Sequence, residues 1–212
     1  MIFYYSTVRS IKENARVRII AGKCRGRRLA TAKGQNTRPT GDRVKEAIFS
    51  TLGQRLPQAR VLDVFAGSGA LGLEALSRGA AGAVFLEKDA LARQVINKNI
   101  QTLALPGAKL YAGAAEQLLP QLKSRGTIDC FELIFLDPPY NRGLLNPMIA
   151  LISQLALLTA EGIAVVETTA KNSELELDCH WRILQRRVYG DTEIYYCGWR
   201  RAENKEDDYG RQ

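Results

Sequence analysis

This chain is poor in the residues that hold metals. It has one histidine, His180, and four cysteines, Cys24, Cys130, Cys179 and Cys197. No cysteine pair has the spacing of a zinc site, so no metal centre is expected. A catalytic triad built on histidine is unsupported, although His180 remains available as an isolated base. Scattered, unpaired thiols fit a reducing cytoplasmic setting. The N-terminal MIFYYSTVRSIKENARVR lacks the apolar core and small-residue cleavage site of a secretory signal. A membrane span is also missing. The most apolar stretch, 148–166, is broken by Ser153, Gln154, Glu161 and Gly162 and reads as a core helix followed by a strand.

What is present is apolar content and local positive charge. A length of 212 residues with 46% hydrophobic content suits one globular domain with a small appendage. The net charge is +8, and it is not spread evenly. Residues 17–45 hold Arg18, Lys23, Arg25, Arg27, Arg28, Lys33, Arg38, Arg43 and Lys45 against Asp42 alone. Nine bases less one acid give +8, the net charge of the whole chain. Such clustering points to a polyanionic partner.

Residues 1–16 show neither helical nor strand period and are expected to form a disordered extension. The next unit, 17–57, opens with VRIIAGKCRGRRL, which predicts a β-hairpin with its tip near 23–26. A polar loop leads to TRPTGDRVKEAIFSTLGQRL. Pro39 disfavours helix before it, and Thr40 or Asp42 can cap a helix starting just beyond. Val44, Ile48, Leu52 and Leu56 recur at helical spacing, and Gly53 and Pro57 end the helix. From 58 to 201 strands and helices alternate. Strands are expected over 61–65, 83–87, 109–112, 133–137 and 163–167, and helices over 70–78, 90–104, 114–124 and 144–158. That alternation predicts an α/β fold with a parallel sheet covered on both faces. Residues 181–189 and 192–199, joined at Gly190-Asp191, predict a closing antiparallel hairpin. The stretch 202–212 is polar and expected to be disordered.

Two motifs carry the chemistry. The first is VLDVFAGSGALGLEAL, a buried strand, a glycine turn and a helix. Gly67–Gly72 fits G-x-G-x-x-G, and Glu87 comes twenty residues after Gly67, at the end of the next strand. A glycine turn at a helix N-terminus, with a carboxylate for ribose hydroxyls, is the dinucleotide fingerprint. Asp63 argues against NAD, because an acid this close to a pyrophosphate would repel it. An acid can instead hold a cationic amino group, directly or through water, and S-adenosylmethionine carries one. The cofactor-binding set on this reading is Asp63, Phe65, Ala66, Gly67, Ser68, Gly69, Glu87, Lys88, Ala114 and Ala115. Ala114 has no polar side chain for an adenine edge, so backbone near Ala115, or Glu116, would have to serve.

The second motif is DPPY at Asp137, Pro138, Pro139 and Tyr140, closing an apolar strand. In open α/β sheets ligands bind beyond the carboxyl ends of the strands where strand order reverses. Pro138 has no N–H to donate, so the Asp137 carboxylate and the Pro138 carbonyl act as acceptors. Tyr140 offers a ring for stacking on a base. Acceptors beside a stacking ring suit an exocyclic amine of a nucleobase, a poor nucleophile whose developing positive charge they can stabilise. Asn97 and Asn99, on one helix with Lys98, read as surface or packing residues. Trp181 and Trp199 read as core. Arg186 and Arg187 fit either a positive rim or a solvated strand face.

At RIIAGKCRGRRL, TRPTGDRVKEAIFSTL, LDVFAGSGALGLEALSRGA, Glu87 and DPPY the chain resembles the bacterial 16S rRNA guanine-N2 methyltransferases of the RsmD type. The resemblance spans nearly all of 17–200. DPPY and the glycine loop are shared by many amino-methyltransferases, whereas the RPT-x-DRVKE segment joined to the Arg-rich hairpin is more specific. The resemblance implies a Rossmann-like seven-stranded class I methyltransferase sheet with a reversed C-terminal hairpin. It implies S-adenosylmethionine as cofactor, and Arg38 and Thr40 as closing its pocket. It implies RNA contacts at Lys23, Arg25, Arg27, Arg28 and Arg43. The substrate would be 16S rRNA or the assembling small subunit, at the guanine 966 site, and a cytoplasmic monomer is expected. The rivals are a DNA adenine or cytosine amino-methyltransferase, an NAD-dependent oxidoreductase and a non-catalytic RNA-binding module. Two features depart from the family. Its chains commonly begin with Met where this one has Val17, so 1–16 are expected to be an upstream in-frame extension. The acidic tail after Arg201 has no evident counterpart.

Overall fold

A computed structural model describes residues 11–32, 41–139, 143–169 and 175–200. Two strands, β1 (Ile11–Arg18) and β2 (Arg28–Ala32), pair antiparallel and precede helix α1 (Asp42–Leu52). Then come β3 (Arg60–Asp63), α2 (Ala70–Ser77), β4 (Gly82–Glu87), α3 (Ala90–Leu103), β5 (Ala108–Ala112), α4 (Ala115–Ser124) and β6 (Phe131–Leu136). The chain continues through α5 (Leu145–Gln154), β7 (Leu158–Thr169), β8 (Trp181–Tyr189) and β9 (Thr192–Trp199). The seven strands from β3 to β9 form one sheet in the order β5-β4-β3-β6-β7-β9-β8. Strands β3 to β7 are mutually parallel, and β9 runs antiparallel to both β7 and β8. This is the α/β sheet with a reversed C-terminal hairpin that the sequence predicts.

The sheet divides the core in two. Side chains alternate across a strand, so Leu133 and Phe135 of β6 join one apolar cluster while Ile134 and Leu136 join the other. The first cluster takes Ile48 and Phe49 of α1, Leu73 of α2 and Ile96 of α3. The second takes Leu119 of α4 and Ile149 and Ile152 of α5. Burial on both faces explains why the parallel strands read as near-continuous apolar runs. Trp181 is buried, its ring 4.3 Å from that of Trp199, as the core reading expects.

Several boundaries differ from expectation. Strand β1 begins at Ile11, inside the stretch expected to be an unstructured extension, and its backbone pairs with β2 from Ile11↔Ala32 onward. Pairing of this kind uses main-chain groups and needs no apolar period. The strands overlap the expected 17–29 hairpin only at its ends, 17–18 and 28–29, and 19–27 form their connection, closed by Ile19 N–H to Arg27 O at 2.9 Å. Helix α1 is capped at Gly41, without a side-chain cap. Asp42 sits in the first turn and instead accepts from Arg18 Nε at 2.9 Å. Helix α5 stops at Gln154 and β7 starts at Leu158, where helix was expected to continue. Ala156 takes a left-handed φ of 47°, which breaks the helix. The register then runs from Phe131↔Leu158 to Leu133↔Ile163, a bulge that absorbs the extra residues. Residues 1–10 and the expected tail 202–212 lie outside the described residues.

Candidate active site

Strand order reverses at β3, which has β4 on one side and β6 on the other. Asp63, the last residue of β3, is level with Phe85 of β4 and Phe135 of β6. Glu87 and Asp137 therefore each lie about 7 Å beyond that level, on strands about 10 Å apart. The 64–69 turn fills the gap between them.

The turn is held from several sides. Val64 N–H donates to Phe135 O and Ala66 N–H to Leu86 O, both at 3.1 Å. Gly67 and Gly69 take left-handed φ values of 57° and 77°, which a side chain would resist. Glu87 Oε2 accepts from Gly67 N–H at 2.8 Å, and its Oε1 accepts from Asp89 N–H at 2.7 Å. Asp89 in turn caps α3 by accepting from Ala92 N–H at 2.9 Å. Each carboxylate oxygen has two acceptor sites, so Glu87 can hold the turn and still receive ribose hydroxyls.

Asp63 is buried, and its Oδ2 accepts from Gly72 N–H at 3.1 Å. It thus steadies the first turn of α2. Burial pushes its carboxyl up to about 7, Gly72 N–H pulls it down, and the Glu87 charge adds to the rise. A buried acid of this kind is short of positive charge, and a cationic ligand would restore its ionised form. Further along the sheet, Gly113 N–H donates to Glu87 O at 3.1 Å, which brings the start of α4 beside the end of β4. Ala114 is the N-cap of α4 without a side-chain cap bond, Ala115 is buried, and Glu116 and Lys88 are exposed.

Asp137 and Pro139 are half-buried and Pro138 is buried, immediately after the end of β6. The sequence places Asp137 inside the strand; it is the first residue past it. Tyr140, Arg38 and Thr40 lie outside the described residues. His180 sits before β8, with Nδ1 3.1 Å from Asp178 Oδ1. It lines an open cavity of about 580 Å³ with Ser153, Gln154, Trp199 and Arg200, none of which belongs to the β3, β4 and β6 site.

The basic segment is fixed against helices α2 and α3. Lys23, Arg25, Arg27, Arg28 and Arg43 are exposed. Arg27 Nη2 also donates to Thr102 O at 2.9 Å, near the C-terminal end of α3, where a cation is favoured. Lys45, counted in the sequence among the basic charges, is instead 1% exposed. It donates to Arg18 O and lies 3.5 Å from Glu74 Oε2. Burial lowers its pKa, against the pull of Glu74. Glu74, fully buried on α2, also accepts from Ile20 and Ala21 N–H at 2.7 and 2.9 Å. Ser77 Oγ accepts from Cys24 N–H at 2.9 Å and donates to Ala21 O at 2.7 Å. Asn99, read as a surface or packing residue, is buried between β2 and the glycine turn, whereas Asn97 is exposed. Nothing in the sequence marks Glu74, Ser77 or Asn99 as anchors of the arm, because the arm groups they hold, at Ile20, Cys24 and Ala30, are more than fifty residues away.

Among the described residues no helix is long and apolar enough to cross a membrane. Among those residues, too, no group of three or more His, Cys, Asp or Glu side chains could hold a metal ion.

The family described as Conserved hypothetical protein 95 matches residues 17–198. Ribosomal RNA small subunit methyltransferase D of Escherichia coli K12 is 37% identical over 92% of this chain and 95% of its own length. The solved structure of yhhF from Escherichia coli aligns with a TM-score of 0.77 at 35% identity, covering 87% of this chain and 98% of that one. SMU.776, solved as a complex with S-adenosylhomocysteine, shares the fold at a TM-score of 0.55 and 15% identity, over 74% of this chain and 49% of that one.

Proposed function

Because this chain belongs to the Conserved hypothetical protein 95 family, that of the small-subunit rRNA methyltransferase D proteins, we propose that it methylates the exocyclic N2 amine of a guanine in 16S rRNA, with S-adenosylmethionine as donor. The observation that carries this reading is the placement of Glu87 and of Asp137-Pro138 on either side of one glycine turn, at the reversal of strand order.

The residues suit the cofactor. Asp63, buried and raised to about 7, suits a positively charged amino group. Glu87 suits the ribose hydroxyls. The open space above Gly67, where an added Cβ would meet nothing closer than 3.9 Å, suits close approach by a ligand. On this reading Lys88 and the Ala114-Ala115 backbone serve the adenine end, and the family resemblance gives Arg38 and Thr40, outside the described residues, the part of closing the pocket. S-adenosylmethionine supplies a methyl group on a sulfonium, a strong electrophile.

The chain's own part is to prepare the amine. Its lone pair is delocalised into the guanine ring. Asp137 carboxylate and Pro138 carbonyl each accept an amine hydrogen, which turns the lone pair toward the methyl group and stabilises positive charge on nitrogen. As the N–C bond forms and the C–S bond breaks, the pair stays on sulfur and a proton leaves nitrogen toward Asp137. Pro139 stiffens the segment, and Tyr140 stacks on the base. The base has to be splayed out of its helix to reach this pocket. Lys23, Arg25, Arg27, Arg28 and Arg43 hold the surrounding phosphates. Much of the rate comes from alignment of amine and methyl.

The test is transfer of labelled methyl to 16S rRNA, to small subunits from a deletion strain and to duplex DNA, with the product nucleoside identified. N2-methylguanine in rRNA or subunits supports the reading. Methylated adenine or cytosine in DNA, or no transfer at all, overturns it.

A further inference from the structure

Asn99 is 2% exposed, and its carboxamide is fully engaged. Its Oδ1 accepts from Ala30 N–H at 2.8 Å. Its Nδ2 donates to Ala30 O at 3.1 Å and to Ser68 O at 2.9 Å. Ala30 lies in β2, the strand that carries Arg28. Ser68 lies between Gly67 and Gly69, both left-handed, at the turn already assigned to the cofactor. One side chain therefore bonds the basic arm and the glycine turn at once.

Glu87 is also among the side chains that fasten the turn's glycine segment, and it holds Gly67 N–H. A peptide unit next to glycine rotates easily, since glycine tolerates either hand of φ. The Ser68–Gly69 peptide is such a unit. Its carbonyl is held by Asn99, and its N–H donates to Ala66 O at 2.6 Å. Releasing Asn99 frees that peptide to turn and unfastens β2 in the same event.

We propose that Asn99 is a positioning residue that couples the RNA-binding arm to the cofactor turn, so that each ligand tightens the binding of the other. The inference rests on the methyl-transfer reading above. Coupling of two binding events is reciprocal by thermodynamic necessity, with typical factors of about 5 to 150. Bound RNA holds β2 in place, β2 holds Asn99, and Asn99 holds the Ser68 carbonyl out of the ligand's way. Cofactor on the turn works the same path backwards.

The experiment is calorimetric titration of the full chain with S-adenosylmethionine, with and without a 16S rRNA fragment. Wild-type protein should bind the cofactor at least about fivefold more tightly with RNA present. In Asn99→Ala the ratio should fall to about one. Asn99→Asp keeps the acceptor for Ala30 N–H but turns oxygen toward both carbonyls, and should lose the ratio too. Should both variants fail to fold, hydrogen exchange on wild-type protein decides. S-adenosylhomocysteine alone should slow exchange across Arg28–Ala32. A wild-type ratio of one, a ratio unchanged in Asn99→Ala, or unaltered exchange in β2 overturns the coupling. Failure of wild-type protein to bind the cofactor at all is a different result and sinks the methyl-transfer reading itself.

Discussion

Asp63 is a carboxyl group raised to about 7 by its own burial, far above the ordinary 3.8. Between about 4 and about 7 the folded chain keeps a proton that the unfolded chain releases, so this group's contribution to stability falls as pH rises through that window. Above about 7 the site holds a buried negative charge, and a cationic ligand relieves it. S-adenosylmethionine should therefore bind about tenfold more weakly at pH 6 than at pH 8. Titration calorimetry checks this, and Asp63→Asn should flatten the dependence. The role proposed for Asp137 is different, since it would act on the amine and not on the cofactor. Asp137→Ala should lower methyl transfer by at least about a hundredfold while leaving cofactor affinity within about twofold; full activity in that variant would remove Asp137 from the reaction. These acids are legible in the sequence because the motif fixes their place relative to glycines or prolines nearby. Lys45, Glu74 and Asn99 are not. A buried lysine looks like any other lysine until the acid that holds it, 29 residues further along the chain, is brought against it.

At the scale of elements, the arm is the informative case. Gly22 has a φ of +83°, and a Cβ there would stand 1.9 Å from Ser77 O, a backbone carbonyl at the end of α2. Neither group can yield cheaply. Gly22→Ala should cost about 3 kcal/mol, seen as a lower urea midpoint, and should speed hydrogen exchange in β1 and β2. Gly26, with an added Cβ meeting nothing within 4 Å, is the comparison, though its φ of +81° still carries a smaller penalty. The parallel strands can be read from sequence because burial on both faces leaves an apolar run with little else in it. Strand β1 cannot, because IKENAR has no alternation and its pairing is made by main-chain bonds. The start of β7 is hidden for another reason. A leucine-rich run reads as helix, and only the left-handed turn at Ala156 and the bulge before Ile163 show where helix gives way to strand.

At the scale of the whole molecule, charge is asymmetric. The bases counted between 18 and 45 are not all equally available, since Lys45 is internal and Arg18, though exposed, is paired with Asp42. Five others described, Lys23, Arg25, Arg27, Arg28 and Arg43, are exposed. Each phosphate contact steepens the salt dependence of RNA binding by about 0.7 to 0.9 in slope. Replacing Arg25 and Arg28 together by alanine should make that slope shallower by about 1.5, measured by filter binding over a salt series. An unchanged slope would place the RNA elsewhere. The parallel sheet and its closing hairpin are readable from alternation and turn residues, while the order of the strands and the way the arm is seated are not, because both depend on contacts between distant parts of the chain.

That seating has a consequence in time. Glu74 lies 54 residues after Ile20, and Asn99 lies 69 after Ala30. A growing chain adds roughly 5 to 20 residues per second, so the arm is made roughly 3 to 14 s before its anchors. For that interval it is a short basic peptide with nowhere to dock. Synthesis thus imposes an order on the molecule, charge first and seat second, and a nascent chain halted before residue 99 displays the arginines without the clip that places them.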